Sequence, residues 1–115
     1  MNIDKDLLLV LKSSGLGEGE PDLGLKLIGS FLDMLLETGN VPSKIICINS
    51  GIFLTTAGTP VEKQMEKFAE AGTEILSCAT CLNYYKRKDM LIIGGPTTMR
   101  DIVKTMLEHK KVLCP

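Results

Sequence analysis

"DLLLVLK", residues 6–12, decides the fold. Five apolar side chains run without interruption between an aspartate and a lysine, so the stretch has no polar face. Successive side chains of an extended chain point to opposite sides. A strand of this composition must therefore be covered on both, which is the condition of a parallel sheet lying between helices.

The rest of the chain follows from that reading. "SSGLGEGEP" (13–21) is a Gly-rich loop, and Asp22 is placed to cap a helix running to about Thr38. Leu25, Ile28, Phe31, Leu32 and Leu35 fall on one stripe of that helix, and Gly39 and Pro42 stop it. "SKIICIN" (43–49) is the second strand, followed by the loop "SGIFLTTAG". "TPVE" (59–62) predicts a helix start, with Thr59 as cap, Pro60 at the first helical position and Glu62 reaching back. That helix runs to Ala71, where Gly72 ends it. "TEILS" (73–77) is the third strand, and the CATC segment leads into a short helix through about Arg87. "MLIIG" (90–94) reads as the fourth strand, with Gly95 and Pro96 turning the chain. Thr98 and Asp101 form a capping pair, after which Met99, Ile102, Val103, Met106 and Leu107 repeat at helical spacing. "KKVLCP" (110–115) supplies a fifth short strand.

Strands alternate with helices, and the connections are long enough for right-handed crossovers. The expected architecture is one α/β domain over residues 1–115, with three layers and a five-stranded, mainly parallel sheet. No internal repeat, linker or low-complexity tract interrupts it.

Composition narrows the function. Hydrophobic residues make up 44% of the 115 and charged residues 23%, as in a globular domain. The net charge is −1, so the basic face that nucleic-acid binding requires is missing. Lys86-Arg87-Lys88 is short, is balanced by Asp89, and reads as a solvated helix end. The longest apolar runs reach only about a quarter of a membrane-spanning length. Asp4 and Asp6 at the start do not suit a signal peptide, and the chain is expected to be cytoplasmic. In that compartment four cysteines read as chemical or incidental, not as a disulfide framework.

In sheets of this kind ligands bind beyond the carboxyl ends of the strands. Four loops gather there, and one contains Cys78 and Cys81. Asn49, Ser50 and Gly51 belong to the second loop, Ala79 and Thr80 separate the cysteines, and Gly95 and Thr97 lie in the fourth. A cysteine between a strand and a helix meets free backbone N–H groups, which favour the nucleophilic thiolate. Cys81 then falls one turn later, near enough to form a disulfide or to resolve a persulfide.

Competing readings stand beside this one. Zinc needs about four ligands, and the remaining donors are Cys47 inside a strand, Cys114 at the end and His109 on a late helix. A thioredoxin-type site uses the same spacing, but with a mixed sheet and at its first strand–helix junction. The pair could also be packed thiols without chemistry. "SGLGEG" lacks phosphate-loop spacing and carries Glu18 beside Glu20 just beyond it, so it reads as a turn. Tyr84 and Tyr85 are assigned to packing or an interface.

The order of "GLGEGEPDLGLKLIGSFLDMLLE", "VPSKIICINSGIFLTTAGTPV", "GTEILSCATCLNYY" and "IIGGPTTMRDIVKTMLEHKKVLCP" resembles the DsrE-like domain of YedF-type proteins, associated with sulfur or selenium metabolism. The resemblance spans nearly the whole chain, and its most specific pieces are the cysteine segment and the "NSG" loop. It implies a small α/β sandwich that forms homo- or hetero-oligomers. It also implies that a cysteine after the third strand, here Cys78, accepts sulfur as a persulfide, with Cys81 as the second cysteine of the YedF-type branch. Two departures stand out: Ala79 replaces a glycine common in the branch, and the N-terminal TusA-like domain of YedF-type proteins does not precede the first strand. A separate TusA-like or other sulfur carrier, or a cysteine desulfurase, is the partner this implies. No cofactor or metal is expected, and a carrier role suits the chain better than turnover of a small substrate. The alternatives are a non-catalytic oligomeric binding module and a thiol–disulfide oxidoreductase.

Overall fold

A computed structural model describes residues 1–115. Five strands form one sheet, β1 (Asn2–Leu11), β2 (Asn40–Cys47), β3 (Glu74–Cys78), β4 (Gly95–Thr97) and β5 (Lys111–Leu113). Their spatial order is β4-β3-β2-β1-β5, and every pairing is parallel. The helices are α1 (Pro21–Glu37), α2 (Glu62–Glu70), α3 (Ala79–Tyr84) and α4 (Met99–Glu108), with a 3-10 turn over Asn49–Leu54.

The apolar run in β1 is buried from Leu7 to Leu11, as its composition demands. Leu9 and Leu11 enter one core with Ile28, Leu32 and Leu36 of α1 and Met65 and Phe68 of α2. Leu8 and Val10 turn the other way, into a smaller core with Ile46, Cys78 and Ile102 of α4. Two helices therefore cover one face of the sheet and a single ten-residue helix covers the other. The α/β sandwich is as expected, with a sheet that is wholly parallel.

Several local readings change. In α1 the fully covered line is Gly24, Ile28, Leu32 and Leu36, while Leu25 is exposed and Phe31 and Leu35 flank the core. Helix α1 starts at Pro21 without a side-chain cap. The capping box at "TPVE" does not form either: Thr59 Oγ1 accepts from the Val61 amide and α2 begins only at Glu62. At the other end of α2, Gly72 at φ +106° lets its own amide reach Ala69 and the Thr73 amide reach Phe68, the double closure a left-handed residue permits. The Thr98–Asp101 cap on α4 forms as predicted, at 3.3 Å. Of the expected α4 stripe only Ile102 is buried and Met106 half-buried, because one side of a lone helix meets the sheet. Met99, Val103 and Leu107 point to solvent.

The fourth strand is not where the apolar run suggested. Met90–Ile93 pairs antiparallel with the stretch after the 3-10 turn, through Ala57 N–H to Met90 O (2.8 Å) and Ile92 N–H to Thr55 O (3.0 Å). The chain then passes over β3 at Gly94, at φ +72°, where a Cβ would lie 2.1 Å from the Ile75 carbonyl oxygen. Gly95 and Pro96, read as a turn, and Thr97, read as loop, form the strand itself. Pro96 is tolerated because β4 is an edge.

A second close approach fixes the carboxyl edge. A Cβ on Gly51 would sit 2.1 Å from the Leu11 carbonyl oxygen. Gly51→Ala should therefore cost about 2 kcal/mol or more in overpacking, read as a lower urea midpoint. Gly29→Ala, inside α1 with open space at the Cβ position, should instead add about 0.5–1 kcal/mol. A Gly51→Ala midpoint equal to that of the wild type would refute the close approach.

Candidate functional site

The site forms where β3 passes into α3. Cys78 is the last residue of β3 and the residue preceding the first turn of α3, in extended conformation. Cys81 lies in the first turn, and the two cysteines come within 3.2 Å of each other. Both are free thiols.

Their exposures are the reverse of the expected order. Cys78 is only 2% exposed, packed with Leu8, Val10, Ile46 and Ile102. Cys81 is half-buried and lines an open cleft of about 360 Å³ with Asn49, Thr80, Tyr84 and Tyr85. The accessible sulfur is therefore that of Cys81. A larger depression of about 550 Å³ lies elsewhere, among Asp33, Thr59, Glu62, Lys63 and Lys67, and is lined by no cysteine.

The amide donor also comes from an unexpected direction. The Asn49 backbone N–H, at the start of the 3-10 turn, donates to Cys81 Sγ at 3.1 Å. Asn49 stands at φ +52°, a left-handed conformation that asparagine tolerates better than most residues. Ala79, in contrast, is the first residue of α3 and has no left-handed backbone, so alanine suits that position.

The remaining predicted residues divide. Thr80 lines the cleft. Ser50 accepts the Ser14 amide at 3.1 Å and ties the Gly-rich loop to the edge. Gly51 is buried beneath the turn. Thr97 pairs with Cys78 across β3 and β4 and is buried, while Gly95 lies opposite Leu76; neither lines the cleft.

Three residues outside the predicted set belong to the surroundings. Tyr85 donates its hydroxyl to Asn49 Oδ1 at 3.2 Å, and its ring meets Phe53 edge-on at 4.8 Å. Arg87 lies over the Phe53 ring at 4.5 Å and donates to Thr56 Oγ1 and the Ala57 carbonyl. The basic run at 86–88 is thus not simply a solvated helix end. The spacing of Cys81 and Tyr85, one helical turn, is the sequence signal that could have brought Tyr85 into the site.

Burial holds the Cys81 thiol above its ordinary value. Its hydrogen bond with Cys78 and the neighbouring charge add to that rise, and the Asn49 amide pulls the other way. A thiolate on Cys81 is therefore not favoured in the resting protein. Cys47 is pushed up to about 12 by complete burial and serves as core. The other zinc-ligand candidates do not converge: His109 bonds Ser43 and the Thr105 carbonyl, and Cys114 is exposed beyond β5. No group of three or more His, Cys, Asp or Glu side chains is placed to hold a metal ion. No helix is long and apolar enough to cross a membrane.

Fold and site together define a small α/β protein with a wholly parallel sheet and a C-x-x-C pair at its carboxyl edge. Similar solved structures include the ychN protein from E. coli (TM-score 0.69, 15% identity, covering 97% of this chain and 100% of that one). MTH1491 from Methanobacterium thermoautotrophicum, a protein of unknown function, matches with TM-score 0.69 and 12% identity, covering 97% of this chain and 100% of that one. BT1422 from Bacteroides thetaiotaomicron, a conserved protein of unknown function, matches with TM-score 0.64 and 16% identity over 96% of this chain and 95% of that one. At these identities the likeness is one of fold. No protein-family model and no curated protein matches the sequence.

Because Cys78 raises the pKa of Cys81 by hydrogen bonding and by charge, Cys78→Ala should lower it. The rate of Cys81 alkylation by iodoacetamide, followed against pH by peptide mass, should rise at lower pH in that variant than in the wild type. An unchanged or upward-shifted profile would show that the two thiols do not interact.

Proposed function

We propose that the chain is a sulfur-relay protein of the DsrE-like kind, in which Cys81 carries a persulfide and Cys78 stands behind it. The observation that carries this reading is the accessible Cys81 sulfur, in a cleft, facing a backbone amide, with a second thiol at contact distance. The resemblance to YedF-type sequences agrees with it and extends it to sulfur or selenium metabolism.

In the relay the Cys81 thiolate attacks the outer sulfur of a donor persulfide. The donor S–S bond breaks, the donor leaves as its thiolate, and a new S–S bond forms on Cys81. An acceptor thiolate can then take the outer sulfur and restore the Cys81 thiol. In the other route Cys78 attacks Cys81 Sγ, closing a disulfide and expelling hydrosulfide. The two thiols are oxidised as the sulfane sulfur is reduced, and a dithiol reductant must reopen the pair. A cysteine desulfurase or a TusA-like carrier is the proposed donor. The raised pKa of Cys81 opposes the first step until the donor supplies an acceptor for the thiol proton.

That same raised pKa favours a second reading, a non-catalytic module whose cleft binds a small ligand or a partner's tail. Intact mass after incubation with a cysteine desulfurase and cysteine separates the two. The relay predicts a gain of one sulfur atom, abolished by Cys81→Ser and longer-lived in Cys78→Ser. No gain on the wild type would leave the binding module, and an equal gain on Cys81→Ser would remove Cys81 as the carrier and place the sulfur on another of the free cysteines.

Self-association belongs to the proposal as well, supported by the outward line of Met99, Val103 and Leu107 on α4. Sedimentation should show an assembly for the wild type and a smaller species for the Val103→Glu/Leu107→Glu pair. Identical sedimentation of the two would remove this part.

A further inference from the structure

We infer that Tyr85 is a positioning residue for the Cys81 thiol, acting through Asn49 and held in place by Phe53 and Arg87. Tyr85 follows Cys81 by one helical turn, and its amide bonds the Cys81 carbonyl at 3.1 Å. Sulfur and hydroxyl are therefore delivered toward the same residue. Sγ meets the Asn49 amide at 3.1 Å, and the tyrosine hydroxyl meets the Asn49 side-chain oxygen at 3.2 Å. That oxygen also accepts the Ser50 amide at 2.8 Å, so the asparagine is gripped on both sides.

The grip matters because Asn49 is held at φ +52°, a left-handed conformation that is strained for a non-glycine residue. Left to itself this residue would relax and swing its N–H away from the sulfur. Opposition to that movement comes from behind. The Tyr85 ring packs on Phe53 within the 3-10 turn, and Arg87 spans Phe53 to bond Thr56 and Ala57 just after it. The end of α3 and the turn bearing Asn49 are thereby clamped together.

The Asn49 amide is the one influence on Cys81 that favours its thiolate, so loosening the clamp is visible in reactivity. The titratable groups around Cys81 are Cys78, Tyr84 and Tyr85, and no carboxylate or ammonium lines the cleft. Arg87 is the cation of the stack and lies beyond Phe53. Helix α4 brings only the apolar Ile102 and Met106 to the cluster beneath.

This inference rests on Cys81 being the reacting thiol of the proposed relay, and a separate measurement tests it. Alkylation of Cys81 by iodoacetamide is followed against pH in the wild type, Tyr85→Phe, Asn49→Gly and the double variant. Phenylalanine keeps the ring packing and removes only the hydroxyl. Glycine keeps the left-handed backbone and the amide but lacks the gripped oxygen. Each single variant should shift the profile to higher pH and slow the reaction at neutral pH about fivefold, the effect of one net hydrogen bond. The double variant should go no further, because both changes break one link. An unchanged Tyr85→Phe profile, or additive effects in the double variant, overturns the inference. Sulfur loading by the desulfurase with an unchanged profile leaves the relay standing without this role for Tyr85. A shifted profile without loading leaves the positioning role and removes the relay.

Discussion

The carbonyl at the end of β1 organises the carboxyl edge. Leu11 O receives the Ile48 amide as the chain leaves β2, and the following turn crosses so closely that residue 51 has no room for a side chain. Interior packing tolerates little displacement, so the crossing point is fixed to within tenths of an ångström. Asn49 lies between these two contacts, and its direction is inherited from them. The donor that meets the Cys81 sulfur is thus placed by backbone packing against the buried strand, and Tyr85 grips it from the end of the short helix.

This explains which parts of the structure were legible in the sequence. Leu7 to Leu11 announced two-sided burial without any tertiary knowledge, and parallel pairing followed from it. Gly72 and the Thr98–Asp101 cap were legible for the same reason: each acts on its own neighbours. Met90–Ile93 was misread because an apolar, β-branched run specifies extended chain but not its partner. Its amides pair with Thr55 and Ala57, while the weaker-looking Gly95–Thr97 supplies the edge strand. The cysteine pair was found, but not which thiol faces out. That depends on which side of the sheet β3 residue 78 points to, a matter of register set by Ile46 and Ile102. Phe53 and Arg87 converge from segments more than thirty residues apart without a local pattern to mark them, and only the one-turn spacing of Cys81 and Tyr85 is local.

The chemistry of the pair follows from its asymmetry. One thiol is sunk among leucine, valine and isoleucine side chains and the other is half in water. Burial disfavours the charged form, and a neighbouring thiol adds to that cost. A raised pKa protects the Cys81 sulfur from indiscriminate oxidation, since thiolate character governs that reaction. The amide of Asn49 favours negative charge on the same sulfur. Protection and readiness are thus assigned to different neighbours of one atom.

The sheet's flanks carry a further implication. β4 and β5 each present three residues, one containing Pro96, which has no amide to donate. The other is bordered by Lys110 and Lys111, placed near Asp6 and Asp4. Copies meeting edge to edge find almost no hydrogen-bonding ladder to extend, and the charges and the proline make what remains unattractive. Both flanks of a sheet rich in β-formers are in this way guarded against fibrous growth.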